Sequence, residues 1–433
     1  MTQNTDTSRR DFLKTSTSAA LGGALVSSLA FPRVSSGAPN SDKLKIGFIG
    51  CGGRGSGAAS QALHADSNVE LFAMGDVFES QIEKSLNNLH KEGHGPKLNV
   101  PKERQFVGLD AYLKVINSGV DLVILTTPPG FRPVQFQAAV DAGKHVFLEK
   151  PMATDAPGLR SVMESVKKAK EKKLAVVAGF CWRYDYPRRE LFKRIHEGQI
   201  GDVRAVYGTY LTGPVKPMPA PETRPPGITD LEWMVRNWYN FTWLSGDGLV
   251  EQAIHTVDWV AWTMKDQPPL KCTAVGGRQI PALGGNIFDH VEVNFEWEDG
   301  TRAFVAQRQI KDCYGENQCY ILGSKGTGNI ARGRVFIAGE NNWKYEGASP
   351  NMYQVEHDEL FASIRAGNPL NDGDRMCKST LMGIMGRMAA YTGQEVTWEM
   401  ALNSKEVLVP EIKDWNTVVN VPPLAMPGKT RFV

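Results

Sequence analysis

Four places in the chain hold groups fit for binding a nucleotide or moving a proton. The first is Gly50-Cys51-Gly52-Gly53-Arg54-Gly55, a G-x-G-x-x-G set directly after the apolar run Leu44 to Ile49. Gly50 permits a tight turn and Gly52 lets the backbone approach a pyrophosphate. Gly55 lets the next helix pack close to the strand, and that helix directs its N-terminus at the phosphates. The second is Asp76, closing the run Val69 to Met74. A carboxylate there can hydrogen-bond the adenosine ribose and repel the extra phosphate of NADP, so NAD is favoured. Arg54 could soften that discrimination, and Asp76 could instead cap the next helix. The third is Glu149-Lys150-Pro151, after the buried run His145 to Leu148. The fourth is Glu251, His255, Asp258 and Trp262, spaced 4, 3 and 4 so that one helix places them on one face.

Hydride transfer from a carbinol needs a base for the hydroxyl proton and a cationic or hydrogen-bonding group for the oxygen. Lys150, just beyond a buried strand, is the candidate at the nicotinamide end, where partial desolvation would lower its pKa and ready its ammonium for proton exchange. His255 flanked by carboxylates suits acid–base work near neutral pH, with Glu251 orienting the ring or raising its pKa. By spacing alone the same four residues make an equally good solvated ion-pair face, and Lys150 could be a surface lysine paired with Glu149. Glu251 and His255 have no third partner, so no metal is expected.

The elements around these residues alternate. Apolar runs at 44–49, 69–74, 120–127, 145–148 and 174–179 are separated by helical stretches, with an irregular insertion at 91–104. This pattern predicts a doubly wound parallel sheet whose ligands lie beyond the strand C-termini. Thr127-Pro128 and Glu149-Lys150 both fall there. Farther on, Val203 to Tyr210, Val291 to Trp297, Ala303 to Gln309 and Gln318 to Leu322 read as strands. A helix is predicted after Gly246-Asp247-Gly248, running to about Met264, with others over Val355 to Ala366 and Ser379 to Thr392. The proline-rich 213–227 stretch is predicted to be a loop over the cleft or an arm to a neighbouring subunit. Trp233, Trp238, Tyr239 and Trp243 follow it, suited to stacking on sugar rings or to packing under the loop. Arg183 and Tyr184 follow the last strand of the first domain, as substrate contacts or interdomain packing. His290 and His357 read as structural.

Gly50 to Gly55, Thr127-Pro128-Pro129, Ala142-Gly143-Lys144-His145-Val146-Phe147-Leu148-Glu149-Lys150-Pro151 and Glu251 to Asp258 together resemble the glucose–fructose oxidoreductase and inositol dehydrogenase (Gfo/Idh/MocA) family. Phe180-Cys181-Trp182-Arg183-Tyr184 and Gly198-Gln199-Ile200-Gly201 add to the likeness. The resemblance implies an N-terminal Rossmann domain and a C-terminal α+β domain with a large, open, predominantly antiparallel sheet whose exposed face makes dimers or tetramers. It implies action on a sugar, inositol or related polyol. It places Lys150, His255 and Glu251 in catalysis, with Arg183, Tyr184 and Asp258 near the substrate. The cofactor would be held by the glycine loop with Gly53 and Arg54, by Asp76, Thr127 and Pro128, and by Glu149 and Lys150. Two residues depart from the family pattern. Arg132 stands near the place of a histidine, and Glu251 replaces an aspartate, lengthening the carboxylate arm by one methylene.

The 433 residues are 42% hydrophobic and 22% charged, which fits two or three folded domains. Net charge is +2, the excess of Arg9, Arg10, Lys14 and Arg33 over Asp6 and Asp11, so the rest is balanced. A neutral body argues against nucleic acid or a membrane surface as partner. The six cysteines show no metal spacing and read as mostly free, with a Cys313–Cys319 bridge open. Ser8-Arg9-Arg10-Asp11-Phe12-Leu13-Lys14 and the apolar run near 19–31 resemble a twin-arginine export signal; a tail with chance arginines is the alternative. The expected organisation is a signal peptide at 1–38, the Rossmann domain at 43–180, the substrate and oligomerisation domain at 181–402 and a tail at 403–433. Export to the periplasm removes the chain from a free nicotinamide pool, so a tightly held cofactor is expected. Three readings stay open: a polyol dehydrogenase, a redox-neutral NAD-dependent glycosidase, and a sugar-binding protein with vestigial chemistry.

Overall fold

The alternating apolar runs form one parallel sheet. The computed structural model describes residues 42–433, and the arginine pair with the apolar run after it lies outside them. Strands β1 (Leu44–Ile49), β2 (Val69–Asp76), β3 (Gln105–Val107), β4 (Leu122–Leu125), β5 (His145–Leu148) and β6 (Val176–Ala178) order as β3-β2-β1-β4-β5-β6, all parallel. The helices between them are α1 (Gly53–Ala65), α2 (Glu79–Lys91), α3 (Ala111–Ile116), α4 (Arg132–Asp141) and α5 (Ala156–Glu171). Helices cover both faces of such a sheet, so its central strands are buried on both sides. All four residues of β4 are accordingly 0% exposed. The first and fourth strands part where strand order reverses, and the glycine loop sits at that switch point.

The second sheet has nine strands. These are β7 (Val203–Thr212), β8 (Lys271–Gly277), β9 (His290–Glu296), β10 (Arg302–Gln309), β11 (Glu316–Gly323), β12 (Gly326–Ala331), β13 (Arg334–Gly339), β14 (Trp343–Lys344) and β15 (Val396–Thr397). Their order is β14-β13-β12-β11-β7-β10-β9-β8-β15, antiparallel except for β7 beside β10. In β9, Val291, Val293 and Phe295 are buried while Glu292 is exposed, the alternation of a sheet with one covered face. The sequence pattern missed β3, β8 and β12 to β15. These strands are short or, like Gly326-Thr327-Gly328, too rich in glycine to show alternation.

Helices α6 (Tyr186–His196), α7 (Asp230–Arg236), α8 (Gly248–Glu251), α9 (Ile254–Thr263), α10 (Met352–Arg365) and α11 (Gly373–Thr392) complete the chain's longer elements. One of them crosses the expected domain boundary. Val355, Leu360 and Phe361 of α10 join the same core as Ala58, Ala59 and Leu63 of α1. Gln354 Nε2 donates to the Gln61 carbonyl at 3.0 Å, and Arg365 Nε to Asp66 Oδ2 at 2.6 Å. Residues 352–365 therefore finish the first domain's outer layer, although they follow most of the second sheet in the chain.

The expected single helix after Gly248, running to about Met264, is broken. The Ala253 N–H reaches back to the Gly248 carbonyl at 3.1 Å, a wide turn, and a new helix starts at Ile254. The His255 N–H then bonds the Gln252 carbonyl rather than that of Glu251. The break frees the Glu251 carbonyl for another donor. The six cysteines are all free; Cys319 is buried and Cys313 exposed.

Candidate active site

The glycine loop is shaped as its sequence predicts. Gly50 has φ +91°, and a Cβ there would lie 2.7 Å from the Thr127 nitrogen. A Cβ on Gly55 would lie 2.2 Å from the Gly50 carbonyl oxygen, so this glycine is a packing requirement between α1 and the loop. A Cβ on Gly52 or Gly53 meets nothing within 4 Å. Those two positions face open space, at the N-terminus of a 13-residue helix with no capping side chain. Helix N-termini of this kind attract anions.

That open space is a cleft of about 520 Å³, lined by Gly50, Gly52, Gly53, Asp76, Thr127 and Pro128 among others. Asp76 Oδ2 accepts the Cys51 N–H at 2.7 Å and Oδ1 the Phe78 N–H at 2.9 Å, which fixes the carboxylate beside the loop. Burial raises its pKa against the pull of those donors. Each oxygen keeps acceptor capacity for a hydroxyl. Lys216, Val235, Arg236 and Trp238 line the same cleft from the second domain. The Arg236 guanidinium lies 4.2 Å from the Phe78 ring centroid, and Trp415 of the tail stacks on that ring at 6.0 Å. The proline-rich stretch thus contributes a wall to this cleft through Lys216.

Arg54 does not face the ribose end. Its guanidinium pairs with Glu149, with Glu356 Oε1 at 3.0 Å and with Gln61 Oε1 at 3.1 Å, and lies over Tyr353. Glu149 is buried, and its carboxylate occupies the place of a Gly179 side chain. The pair fastens the first turn of α1 to β5 and α10.

Lys150 is buried, and its ammonium bonds across the domain seam, while only its backbone N–H donates to Glu149 Oε2, at 3.2 Å. Its Nζ donates to Glu251 Oε1 at 2.9 Å and to the Glu251 carbonyl that the helix break released. An ammonium has three donors, so one remains. Gln252 Nε2 donates to Glu251 Oε2 at 2.7 Å, and the Tyr210 hydroxyl donates to Gln252 Oε1 at 2.6 Å. His255 is half-buried, with its ring 4.7 Å from that of Trp182, and its Nδ1 has no hydrogen-bond partner among the described residues. Burial depresses its pKa well below the ordinary value, and each charge acting on it is a cation: Lys150, then Arg188 and Arg54. The expectation that Glu251 orients the ring or raises its pKa is thus overturned, because Lys150 has claimed that carboxylate. The neutral imidazole is the stable form. The acid limb of kcat/KM should lie below pH 6.5, the ordinary value for histidine. A limb above that, in a pH–rate profile, would show that a carboxylate governs the ring.

Arg183, Tyr184 and Asp258 lie in the interdomain seam rather than in the cleft. Arg183 Nε and Nη2 each reach Asp258 at 2.8 Å, Ser379 Oγ donates to Asp258 at 2.7 Å, and Arg183 also pairs with Asp266. The Tyr184 hydroxyl donates to Asp372 at 2.8 Å. Arg183 and Asp258 are 3% and 2% exposed, so a substrate does not reach them. The sequence grouped Asp258 with His255 through helix spacing, but the side chain on that face is taken by Arg183. Arg132 staples the Thr127 and Pro151 carbonyls, holding the two strand ends of the site together. His357 is fully buried against Phe147, and His290 bonds Asp289 at 2.7 Å.

Residues 44–180 match the family model described as "Oxidoreductase family, NAD-binding Rossmann fold", and residues 189–328 match "GFO/IDH/MocA C-terminal domain". The chain belongs to the GFO/IDH/MocA oxidoreductase family. It is 24% identical over 337 residues to inositol 2-dehydrogenase of Salmonella typhimurium, covering 75% of this chain and 87% of that protein. It is 27% identical over 214 residues to a glycosyl hydrolase family 109 protein of Shewanella baltica, covering 45% of this chain and only 44% of that protein. Among solved structures, levoglucosan dehydrogenase in complex with NADH and levoglucosan superposes with TM-score 0.65 at 18% identity, covering 82% of this chain and 98% of that one. Aldose–aldose oxidoreductase from Caulobacter crescentus gives 0.64 at 20%, covering 82% and 99%. These likenesses establish the two-domain fold.

Within the family frame, the sequence reading missed Tyr210, Gln252, Gln307 and Gln309, and named Tyr239 only among the aromatic residues after the proline-rich stretch. One signal pointed to two of them. On β10, Gln307 and Gln309 are in phase with the core residues Ala303 and Val305, so amides replace apolar residues where the covered face leaves the core.

Proposed function

We propose that the protein is an exported NAD-dependent oxidoreductase that takes hydride from a carbinol carbon of a sugar, inositol or related polyol. One observation carries this reading: the buried Lys150 ammonium, held by Glu251 with one donor left, lies beside a neutral His255 at the strand ends next to the dinucleotide cleft. Gly50, Gly52, Gly53, Asp76, Thr127 and Pro128 would hold the cofactor, and the open space at Gly52 and Gly53 fits a diphosphate. When bound, NAD supplies the hydride acceptor. His255 takes the hydroxyl proton, and the free donor of Lys150 offsets negative charge growing on the substrate oxygen. The test is to add NAD and a panel of free polyols to the purified chain and follow NADH. No NADH from any member, with NAD bound, counts against a dehydrogenase.

A retained cofactor, and with it a redox-neutral cycle, is a second reading. It is supported by the wall that Lys216, Arg236, Trp238 and the Trp415–Phe78 stack raise beside the cleft. Retained NAD in the purified protein's absorbance and mass spectra, with nitrophenyl glycoside turnover in its absence from the medium, would favour this second reading.

NAD is the preferred cofactor because Asp76 stands at the ribose end and Arg54 is bound elsewhere. Asp76→Ser should raise the NADP-to-NAD ratio of kcat/KM at least about tenfold, ~1.4 kcal/mol of discrimination. An unchanged ratio would remove Asp76 from cofactor choice.

The Arg9-Arg10 pair supports twin-arginine export to the periplasm, which fractionation of an Arg9→Lys, Arg10→Lys variant would check. Exposed Tyr207, Val275 and Leu322 on the open sheet face support a homodimer or homotetramer.

A further inference from the structure

A second cavity, of about 290 Å³, adjoins the candidate active site. It lies between the loop after β7, the loop from Arg278 to Asp289 and the end of β10. Val215, Met218, Ile280, Leu283, Ile287 and Phe288 make its lining predominantly apolar. Val215, Ile280 and Leu283 are 48%, 53% and 57% exposed, an apolar cluster left open to solvent. Such clusters around a concavity mark binding surfaces.

The cavity is built rather than left between mobile loops. Arg278 Nε donates to the Ile287 carbonyl at 2.8 Å and Nη1 to that of Gly285 at 3.2 Å, closing the loop on itself. Asp289 Oδ2 accepts the N–H groups of Gln279 and Ile280 at 2.9 and 2.8 Å. The Asn286 N–H docks the loop on the Asn240 carbonyl at 2.9 Å.

Two features tie the cavity to the site. Lys216 lines both this cavity and the dinucleotide cleft. Tyr239 and Gln309 also line it, the hydroxyl 2.7 Å from Gln309 Nε2, and Glu251 exerts the strongest charge effect on that tyrosine. One step inward on β10 is Gln307, paired in register with Tyr210, 2% exposed and with neither amide atom partnered among the described residues. A buried amide in that state is costly unless a ligand or water bonds it. From Lys150 the contacts run through Glu251, Gln252 and Tyr210 to Gln307, and the same face of β10 then reaches Gln309 at the apolar cavity.

We propose that this cavity is a distal subsite for a ring with an apolar face, joined glycosidically to the sugar whose hydroxyl meets Lys150 and His255. The preferred substrate is then a glycoside rather than a free polyol. This rests on the oxidoreductase reading above and narrows its substrate class. A cavity of this size takes one ring. Its apolar lining suits an aryl aglycone or the apolar face of a second sugar, and the Tyr239–Gln309 pair stands where the linking oxygen passes.

The test uses the full chain with NAD and three ligands of one sugar: free, as its phenyl glycoside, and in a disaccharide. Binding is read by saturation-transfer NMR and oxidation by NADH. Both linked forms, or the phenyl form alone if an aglycone is the natural occupant, should exceed the free sugar at least about tenfold in kcat/KM, mainly through KM. Saturation should reach the phenyl protons. Ala282→Trp, a substitution at an exposed lining residue outside the catalytic group, should erase both effects and leave the free sugar unchanged. Equal kcat/KM for free and linked sugars, or phenyl saturation that survives Ala282→Trp, overturns the subsite while the oxidoreductase reading stands. Binding of the phenyl glycoside in the cavity with neither NADH from any ligand nor release of phenol overturns the oxidoreductase reading and leaves a binding site.

Discussion

Lys150→Met is expected to lower kcat at least about 100-fold, the scale of a lost acid–base or charge-offsetting group, while NAD binding persists. The Lys150 side chain is 9% exposed, and its ammonium donates twice to one residue, Glu251. Removing it withdraws the ammonium proposed above to offset charge on the substrate oxygen. It also strands the Glu251 carboxylate, and breaking a buried pair from one side costs about 3–5 kcal/mol of stability. The Lys150→Met, Glu251→Gln double variant removes both charges and so separates folding from catalysis. It should recover thermal stability and stay inactive. His255→Ala should show a loss of similar size by removing the base. Combined with Lys150→Met it should add little, since groups acting on one step are not additive. Steady-state kinetics beside thermal denaturation decide the matter. Losses under about tenfold in both single variants, with the fold intact, would remove these residues from the chemistry.

Gly52→Val should abolish useful NAD binding without harming the apoprotein. Gly52 has φ −70° and ψ −175°, ordinary extended backbone, and a Cβ there meets nothing within 4 Å. A side chain fits the fold and occupies the space the phosphates need. The expected loss is about 100-fold in Kd, ~2.7 kcal/mol, with unfolding free energy changed by less than about 0.5 kcal/mol. Gly55→Val should do the reverse. Its Cβ would lie 2.2 Å from the Gly50 oxygen and 2.7 Å from Phe48, so it destabilises the fold whether or not NAD is present. Calorimetric titration with NAD, and melting curves with and without it, distinguish the two. A Gly52→Val protein that binds NAD as tightly as the parent would mean that the glycine loop is not the cofactor site.

The first domain and its chemistry-bearing ends are legible in residue order. Buried strands read as continuous apolar runs, and the glycine loop, Asp76 and Lys150 sit at strand termini where local rules place them. Alternation also pointed to strands in the second half of the chain, and the family resemblance implied that they form one mostly antiparallel sheet. The pairing of the side chains, in contrast, comes from packing. Spacing on an ideal helix joined Glu251, His255 and Asp258, but the break at Gln252–Ala253 hands Glu251 to Lys150, and the seam hands Asp258 to Arg183. Those partners lie 101 and 75 residues away in the chain. The return of α10 onto α1, and the use of Lys216, Arg236 and Trp238 as a cleft wall, are contacts of the same long-range kind. Periodicity reports which face of an element is covered. The partner that covers it, and the charge that partner brings, depend on packing between segments far apart in sequence.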